Sequence, residues 1–453
     1  MKKRLSVSIL LLALATGVAC SAPAAKKVAK PAPAKSLPAV MQATGTFDGG
    51  ELLAKVSIFA APDESEPASF TIKSPKAFSC VTVKLSGDLN AGKTSIPASR
   101  VVLSAVEETK LAPISSFELQ PGNAKRFWMR IDVPARTAAG LYKGTLSASA
   151  NGKVIGKLPV ELNVLGIRLL KTSKRNGIMM PQVEAIDETY TQALQSMKDC
   201  GFGWATITTP VAQLGDTVGI MKQAGTAGLP IICASSDLTP DTITVACEQA
   251  KSVSLRNMLL SAANGPKTPE EIQAACDMSQ AIHNVKQKSF AVIDDEAALS
   301  QLSGSLDAID YKLDLSYVQG LMAGAKRTGG KNEWVYWNAV ASPKDNRVYS
   351  GFLLWKSGLD GMYLPMPSLD SLTGTVQWEA LREGIDDTRY LTTLMDLVRQ
   401  AKDLKKAGDV TDAAEAYVNA VFAKPLTEMS NKDYQGYRLQ IAQYIMKLQT
   451  VAK

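Results

Sequence analysis

From Asn176 to about residue 400 the sequence alternates short apolar runs with amphipathic stretches, and this alternation leaves few folds open. The apolar runs predict strands over Gly177–Met180, Trp204–Thr209, Pro230–Ala234, Arg256–Ala263, Ser289–Ile293, Ala308–Leu315, Glu333–Asn338 and Met362–Met366. Between them the apolar period lengthens to that of a helix, as in Tyr190–Asp199 and Pro269–Ile282. Eight strands with eight crossovers is the count for a closed (β/α)8 barrel, here assigned to residues 175–400. A barrel this short has brief loops and a shallow pocket, with its site at the C-terminal ends of the strands.

The rest of the chain reads differently. Residues 45–170 alternate Val, Ile, Phe and Thr with polar residues, as in Ala54–Phe59, Val81–Leu85 and Lys153–Lys157, separated by Pro, Gly and Asp. That periodicity predicts an all-β sandwich. Within it Pro121-Gly122 opens a strand pair, Lys125–Pro134 followed by Ala139–Leu146. Residues 401–453 are a polar-amphipathic helical tail expected to cap the barrel's outer wall. The fold class is therefore multidomain: a β-sandwich, a TIM-like barrel and a helical C-terminal tail.

The start of the chain reads as an export signal. Lys2-Lys3-Arg4 precedes an apolar run from Leu5 to Ala19, too short to remain as a membrane helix. Residues 1–20 form this signal peptide. Cys20 follows Val18-Ala19 and is a candidate for lipidation, although Gly17 departs from the lipobox pattern; cleavage near Ala22 or Ala24 is the alternative. The expected location is the periplasm or cell surface, with a membrane contact only through that anchor. Residues 21–44, rich in Ala, Pro and Lys, read as an extended linker. The net charge of +7 resides in the first 40 residues, and the remainder carries as many acids as bases. The balance therefore points to no nucleic acid or polyanionic partner. A single histidine, His283, excludes histidine-based triads and multi-histidine metal sites. The spacing of Cys80, Cys200, Cys233, Cys247 and Cys276 fits neither a zinc site nor a disulfide framework. No metal or cofactor is called for.

The densest signal lies between Arg347 and Tyr390. A helical run ends at Trp355-Lys356-Ser357-Gly358, with Gly358 fitting a C-cap, and Asp360-Gly361 turns into a buried strand closed by Pro365 and Pro367. A helix follows in which Glu379, Arg382, Glu383 and Asp386 share one face. That face is read either as a solvated salt-bridge row or as part of a site. The run from Gly351 to Met362, with Trp378-Glu379-Ala380-Leu381-Arg382-Glu383-Gly384-Ile385-Asp386-Asp387 and Tyr390-Leu391, resembles the C-terminal part of the barrel in the family 123 glycoside hydrolases, β-N-acetylgalactosaminidases, and a wider bacterial group related to them. The stretch with Pro121-Gly122, Trp128, Asp132-Val133-Pro134 and Ala139-Gly140-Leu141-Tyr142 resembles the sandwich that precedes the barrel in the same group.

The resemblance implies a glycan or glycoconjugate as partner and, in that family, an adjacent Asp-Glu pair at the end of strand four. The Asp orients the substrate's 2-acetamido group and the Glu protonates the leaving oxygen. Two places here can hold such a pair. Asp295-Glu296 follows the fifth predicted strand directly. The preferred register instead aligns Pro266 and Thr268–Ile272, which puts Asn264 and Gly265 at the dyad positions. Glycine cannot donate a proton, so a divergent enzyme would draw on Asp294, Asp295 or Glu296, and an inactive one would not. Asp294 and Asp295 can also simply cap the next helix. For substrate contact, Trp334, Trp337, Trp355 and Trp378 are four of the six tryptophans. With Tyr336, Asn338, Arg347, Tyr363, Glu379 and Arg382 they supply candidate aromatic and polar contacts for a pyranose, some of them necessarily plain core. A glycan-binding protein without catalysis and a structural envelope lipoprotein are the competing readings.

Overall fold

Alternating apolar residues between Ala39 and Val164 build two sheets that share one core. In the computed structural model the described residues are 37–451, apart from 182–186, 227–229, 236, 313–331, 339–341, 367, 369–372 and 407. One sheet runs in the order Gly49–Leu53, Val40–Gly45, Glu64–Lys73, Ala124–Val133, Val101–Glu107, Lys110–Pro113. The other is built on Phe78–Leu85, Gly140–Ala150, Lys153–Val164 and Val56–Ala60. Phe70, Ile72, Phe127 and Met129 of the first meet Val83, Leu146, Leu158 and Leu162 of the second.

Two expectations are corrected here. The linker assigned to 21–44 ends earlier, because Val40–Gly45 is a strand paired with Glu64–Lys73, and its Met41 and Ala43 are buried. The Ala- and Pro-rich run before it masked that short alternation. The expected pair Lys125–Pro134 and Ala139–Leu146 is no hairpin. Its first strand bonds to Glu64–Lys73 and Val101–Glu107, its second to Phe78–Leu85 and Lys153–Val164, so the chain crosses between sheets. Both strands carry apolar residues toward the shared core, and Pro134 ends the first without a backbone donor to continue the ladder.

Eight parallel strands then close into a barrel: Gly177–Met179, Trp204–Ile207, Ile231–Cys233, Met258–Asn264, Lys288–Ile293, Ala308–Tyr311, Asn332–Tyr336 and Gly361–Pro365. Each predicted strand is present, most of them shorter than expected. Period-two alternation sends Met179, Trp204, Ile232, Leu259, Phe290, Val292, Ala308, Trp334, Tyr336 and Tyr363 inward. Their neighbours, such as Ile178, Ala205, Ala291, Ile309 and Leu364, pack under the helices. Ring centroids 5.5–5.9 Å apart link Trp204, Trp334, Phe290, Tyr363 and Tyr336, so the interior is a packed aromatic core.

The eighth barrel helix, Val376–Asp403, is capped by Thr375, whose side chain accepts from the Trp378 amide. The tail helices Asp409–Phe422 and Asn431–Val451 pack on it through Leu391, Leu394, Val418, Tyr434 and Ile441. The charged face of this helix is buried. Arg382 pairs with Glu379 at 2.9 Å and Asp386 at 3.2 Å, and Arg389 with Asp386 at 2.8 Å. Arg347 meets Asp387 at 2.9 Å. Arg438 of the last helix reaches Asp387 at 2.6 Å, Glu383 at 2.9 Å, and Glu66 and Glu64 of the sandwich at 3.1 and 3.4 Å. Gly384 permits this arrangement, since a Cβ there would overlap the Ser350 hydroxyl and the Arg347 carbonyl.

Four acids therefore surround two guanidinium groups at the innermost point, and the excess is met by retained protons. Burial pushes the Glu64 carboxyl up to about 7 and Glu66 well above the ordinary range, against the opposing pull of Arg438. The Tyr390 hydroxyl donates to Glu64 at 2.8 Å.

Replacing Arg438 with Met strands these acids and should lower the unfolding free energy by about 3–5 kcal/mol in a urea titration. Because Glu64 binds its proton more tightly folded than unfolded, its contribution is complete below about pH 4.5 and is lost as pH rises toward 7. The thermal midpoint of Glu64→Gln should accordingly fall less than that of the wild type across this window.

Candidate functional site at the barrel mouth

The C-terminal ends of the strands gather the polar groups. A bulge between Ser261 and Ala263 switches the alternation of the fourth strand, so that Asn264 lies opposite the inward Val292 and is exposed. Gly265 follows with φ +67°, and its amide donates to the Val292 carbonyl at 2.8 Å. Thr268 and Glu271 then form a reciprocal cap on helix Pro269–Asn284. Just past the end of the fifth strand, Asp294 follows the inward Val292 by two residues. One carboxylate oxygen lies 3.2 Å from Lys267 Nζ; the other is buried without a hydrogen-bond partner among the described residues. A Cβ on Gly265 would stand 3.5 Å from both Asp294 oxygens, so this carboxylate occupies the space beside the glycine.

The adjacent pair Asp295-Glu296 is divided between other tasks. Asp295 caps helix Glu296–Leu302, accepting from the Ala298 amide at 2.9 Å, and Glu296 is exposed on the first turn. Of the two acids offered as caps, Asp295 fills that place and Asp294 does not.

The aromatic candidates separate by strand parity. Tyr336 faces inward, half-buried, with its ring centroid 5.9 Å from that of Tyr363 and the Lys312 ammonium 5.3 Å above it. Tyr363 lies deeper, and burial raises both phenols. Trp337 turns the other way and stacks on Tyr349 at 3.7 Å, while Asn338 is exposed at the rim. Trp334 is enclosed in the barrel core. Trp355 sits on the outer wall with Lys174 5.0 Å above its ring. Arg347 is fully enclosed by Asp387 and Asn431. Glu379 and Arg382 face the sandwich, where Arg130 lies 3.4 Å from Glu379 and the Ser65 carbonyl accepts from Arg382. The structure thus places Asn264, Asp294, Tyr336 and Asn338 at the C-terminal ends of the fourth, fifth and seventh strands, with Tyr363 beneath Tyr336 and Trp337 turned away from it. Trp334, Trp355, Arg347, Glu379 and Arg382 lie elsewhere.

A residue not singled out from the sequence joins them. Asp310, on the sixth strand, points into the barrel with no exposed surface, and neither carboxyl oxygen has a hydrogen-bond partner among the described residues. Burial pushes this carboxyl well above the usual range, with Lys312 pulling the other way. The signal available was parity: in Ala308-Ile309-Asp310-Tyr311 the acid shares the inward face with Ala308.

A cavity of about 910 Å³ lies away from the mouth, between the sandwich and the barrel helices, lined by Arg130, Asp132, Gln192, Asp199, Glu379 and Arg382 among others. His283 is equally remote, paired with Asp307 at 2.7 Å below the sixth strand. Among the described residues no cluster of His, Cys, Asp and Glu is arranged to hold a metal ion, and no helix is long and apolar enough to cross a membrane.

The closed parallel barrel behind a β-sandwich is a fold shared with solved structures. The structure is similar to that of a family 123 glycoside hydrolase from Clostridium perfringens, described in connection with glycolipid glycan hydrolysis. The match has a TM-score of 0.65 at 11% identity and covers 92% of this chain and 98% of that one. A family 39 glycoside hydrolase from Bacteroides cellulosilyticus is matched more loosely, with a TM-score of 0.34 at 11% identity over 73% of this chain and 81% of that one. No family model and no curated protein matches the sequence.

The division of labour at residues 295 and 296 is measurable by chemical unfolding. Asp295→Ala should cost about 1 kcal/mol through the lost cap, whereas Glu296→Gln, on an exposed helix turn, should change stability by less than about 0.5 kcal/mol.

Proposed function

We propose that the barrel mouth is a glycan site of glycoside hydrolase type, taking an N-acetylated hexosaminide or a related glycan. The observation that carries this reading is the grouping of Tyr336 with Asn264, Asp294 and Asn338 at the C-terminal ends of the strands. An aromatic ring offers its face to the C–H side of a pyranose, and the amides and carboxylate suit hydroxyl and acetamido groups. The likeness in fold to a family 123 enzyme supports the choice of sugar class, and glycolipid headgroups are natural ligands to try. The reading includes export, with Cys20 as the lipid attachment point and the only membrane contact.

Asn264 and Gly265 stand where the resembled family carries its Asp-Glu pair. An amide there can still orient an acetamido group, but it brings no negative charge, and glycine brings no acid. This substitution favours a second reading, glycan binding without turnover. The two are separated by incubating the protein with aryl β-N-acetylgalactosaminide, N-acetylglucosaminide, galactoside and glucoside substrates, and by titrating the corresponding oligosaccharides against tryptophan fluorescence. Binding of an N-acetylated sugar is expected, and Tyr336→Ala should weaken it about tenfold, equivalent to about 1.4 kcal/mol. Release of the aryl group marks an enzyme. Binding alone marks a lectin-like barrel. Neither result from any sugar overturns the glycan reading.

A further inference from the structure

We propose that Asp310 is the proton donor of the barrel mouth, delivering its proton to the leaving oxygen of a bound glycoside in place of the acid that Gly265 cannot supply. The proposal rests on the reading of the mouth as a glycan site.

Geometry carries it. Asp310 is the penultimate residue of the sixth strand, in register with Val292 on the fifth and Trp334 on the seventh, both inward-facing. Its carboxyl is enclosed by the aromatic interior, and both oxygens lack a partner among the described residues. A buried carboxyl normally finds hydrogen-bond partners, because leaving it bare forfeits the water it gave up. The charged or titratable groups that act on it or stand near it are few: Lys312 just past its own strand, Tyr336 on the seventh and Tyr363 on the eighth, with Asp294 at the end of the fifth. Burial outweighs Lys312 and pushes the carboxyl well above its ordinary range, and neither oxygen has a hydrogen-bond partner among the described residues. Lys312, two residues on and on the same face, is exposed, and Tyr336 beside it is half-buried.

Asp294 completes the chemistry. It shares the inward face with Val292, which lies opposite Asp310, so strand geometry sets the α-carbons of Asp294 and Asp310 roughly 8 Å apart. Asp294 is ion-paired with Lys267, whereas Asp310 is enclosed without a partner among the described residues; two carboxyl groups in contrasting surroundings divide the roles of base and acid. In the step we assign, the Asp310 proton passes to the glycosidic oxygen as the anomeric C–O bond breaks and its electron pair stays on that oxygen. A water molecule attacks the anomeric carbon and gives its proton to the Asp294 carboxylate. The products are an alcohol and the free sugar with inverted anomeric configuration, and solvent takes the proton from Asp294 and returns one to Asp310.

The test compares full-length wild type, Asp310→Asn and Asp310→Glu on two β-glycosides of the same sugar. A dinitrophenyl leaving group departs without protonation, and a methylumbelliferyl group needs more help. Asp310→Asn should lose about 100-fold in turnover of the methylumbelliferyl glycoside and stay within about threefold on the dinitrophenyl one, as expected for loss of a general acid. It should also lose the alkaline limb of the pH profile, which Asp310→Glu should retain, and the first sugar released by the wild type, read by NMR, should carry the inverted anomer. A natively folded Asp310→Asn, by circular dichroism, that loses both substrates equally or neither overturns the proposal while leaving the enzyme reading standing. Retention of configuration overturns the assigned step. A wild type that binds glycans but cleaves nothing overturns the proposal alone, and one that does neither overturns the glycan reading with it.

Discussion

The buried charge cluster around Arg438 is the constraint on which the arrangement of the chain depends. Ion pairs removed from water gain little over apolar packing, yet each becomes expensive to leave half-made. Glu64 and Glu66 come from the sandwich, Glu383 and Asp387 from the eighth barrel helix, and Arg438 from the tail. All four acids share Arg438 as a partner, and Asp387 meets Arg347 of the barrel as well. The cluster therefore fixes how the three parts meet, and with them the helix that backs the eighth strand. Tyr363 lies on that strand, directly under the mouth.

A second constraint is the filling of the barrel. Trp204, Trp334, Phe290 and Tyr363 leave little room for water in the lower interior, which makes it a poor place for charge. The sole inward carboxyl among the described residues of the closed strands, Asp310, is accordingly pushed well above the ordinary range by burial, while Asp294, one layer higher and next to Lys267, has a charged partner. The same aromatic packing that stabilises the fold thus sets the difference between two acids. Chemistry at the mouth is inseparable from the hydrophobic content beneath it.

The eight strands were legible because fully buried strands are written as apolar runs bounded by Gly, Pro and Asp, and nothing else in the region competes with that signal. The first sandwich strand was not, since Val40-Met41-Gln42-Ala43 continues a composition already dominated by alanine. The charged face of the eighth helix was ambiguous for a deeper reason: an i, i+3, i+4, i+7 row of Glu and Arg reads alike whether water or another domain covers it. Only Arg438, some fifty residues on, and two glutamates more than three hundred residues back decide the matter. At the site, nearness in sequence was misleading. Arg347 and Trp355 follow the seventh strand but fold onto the outer wall. Tyr336 and Trp337 are neighbours that strand parity sends to opposite sides. Asp310 needed the same parity argument, which a short apolar run does not announce.

The order of synthesis gives the charge cluster a further meaning. Glu64, Glu66, Glu383 and Asp387 all leave the ribosome before Arg438, which stands close to the C-terminal end of the sequence. Until that last helix emerges, the acids that join sandwich to barrel lack their shared cation and remain better off in water. Sandwich and barrel can each gather their apolar residues while translation continues. Their joining waits for the helix that carries Arg438, the last of these elements to be made.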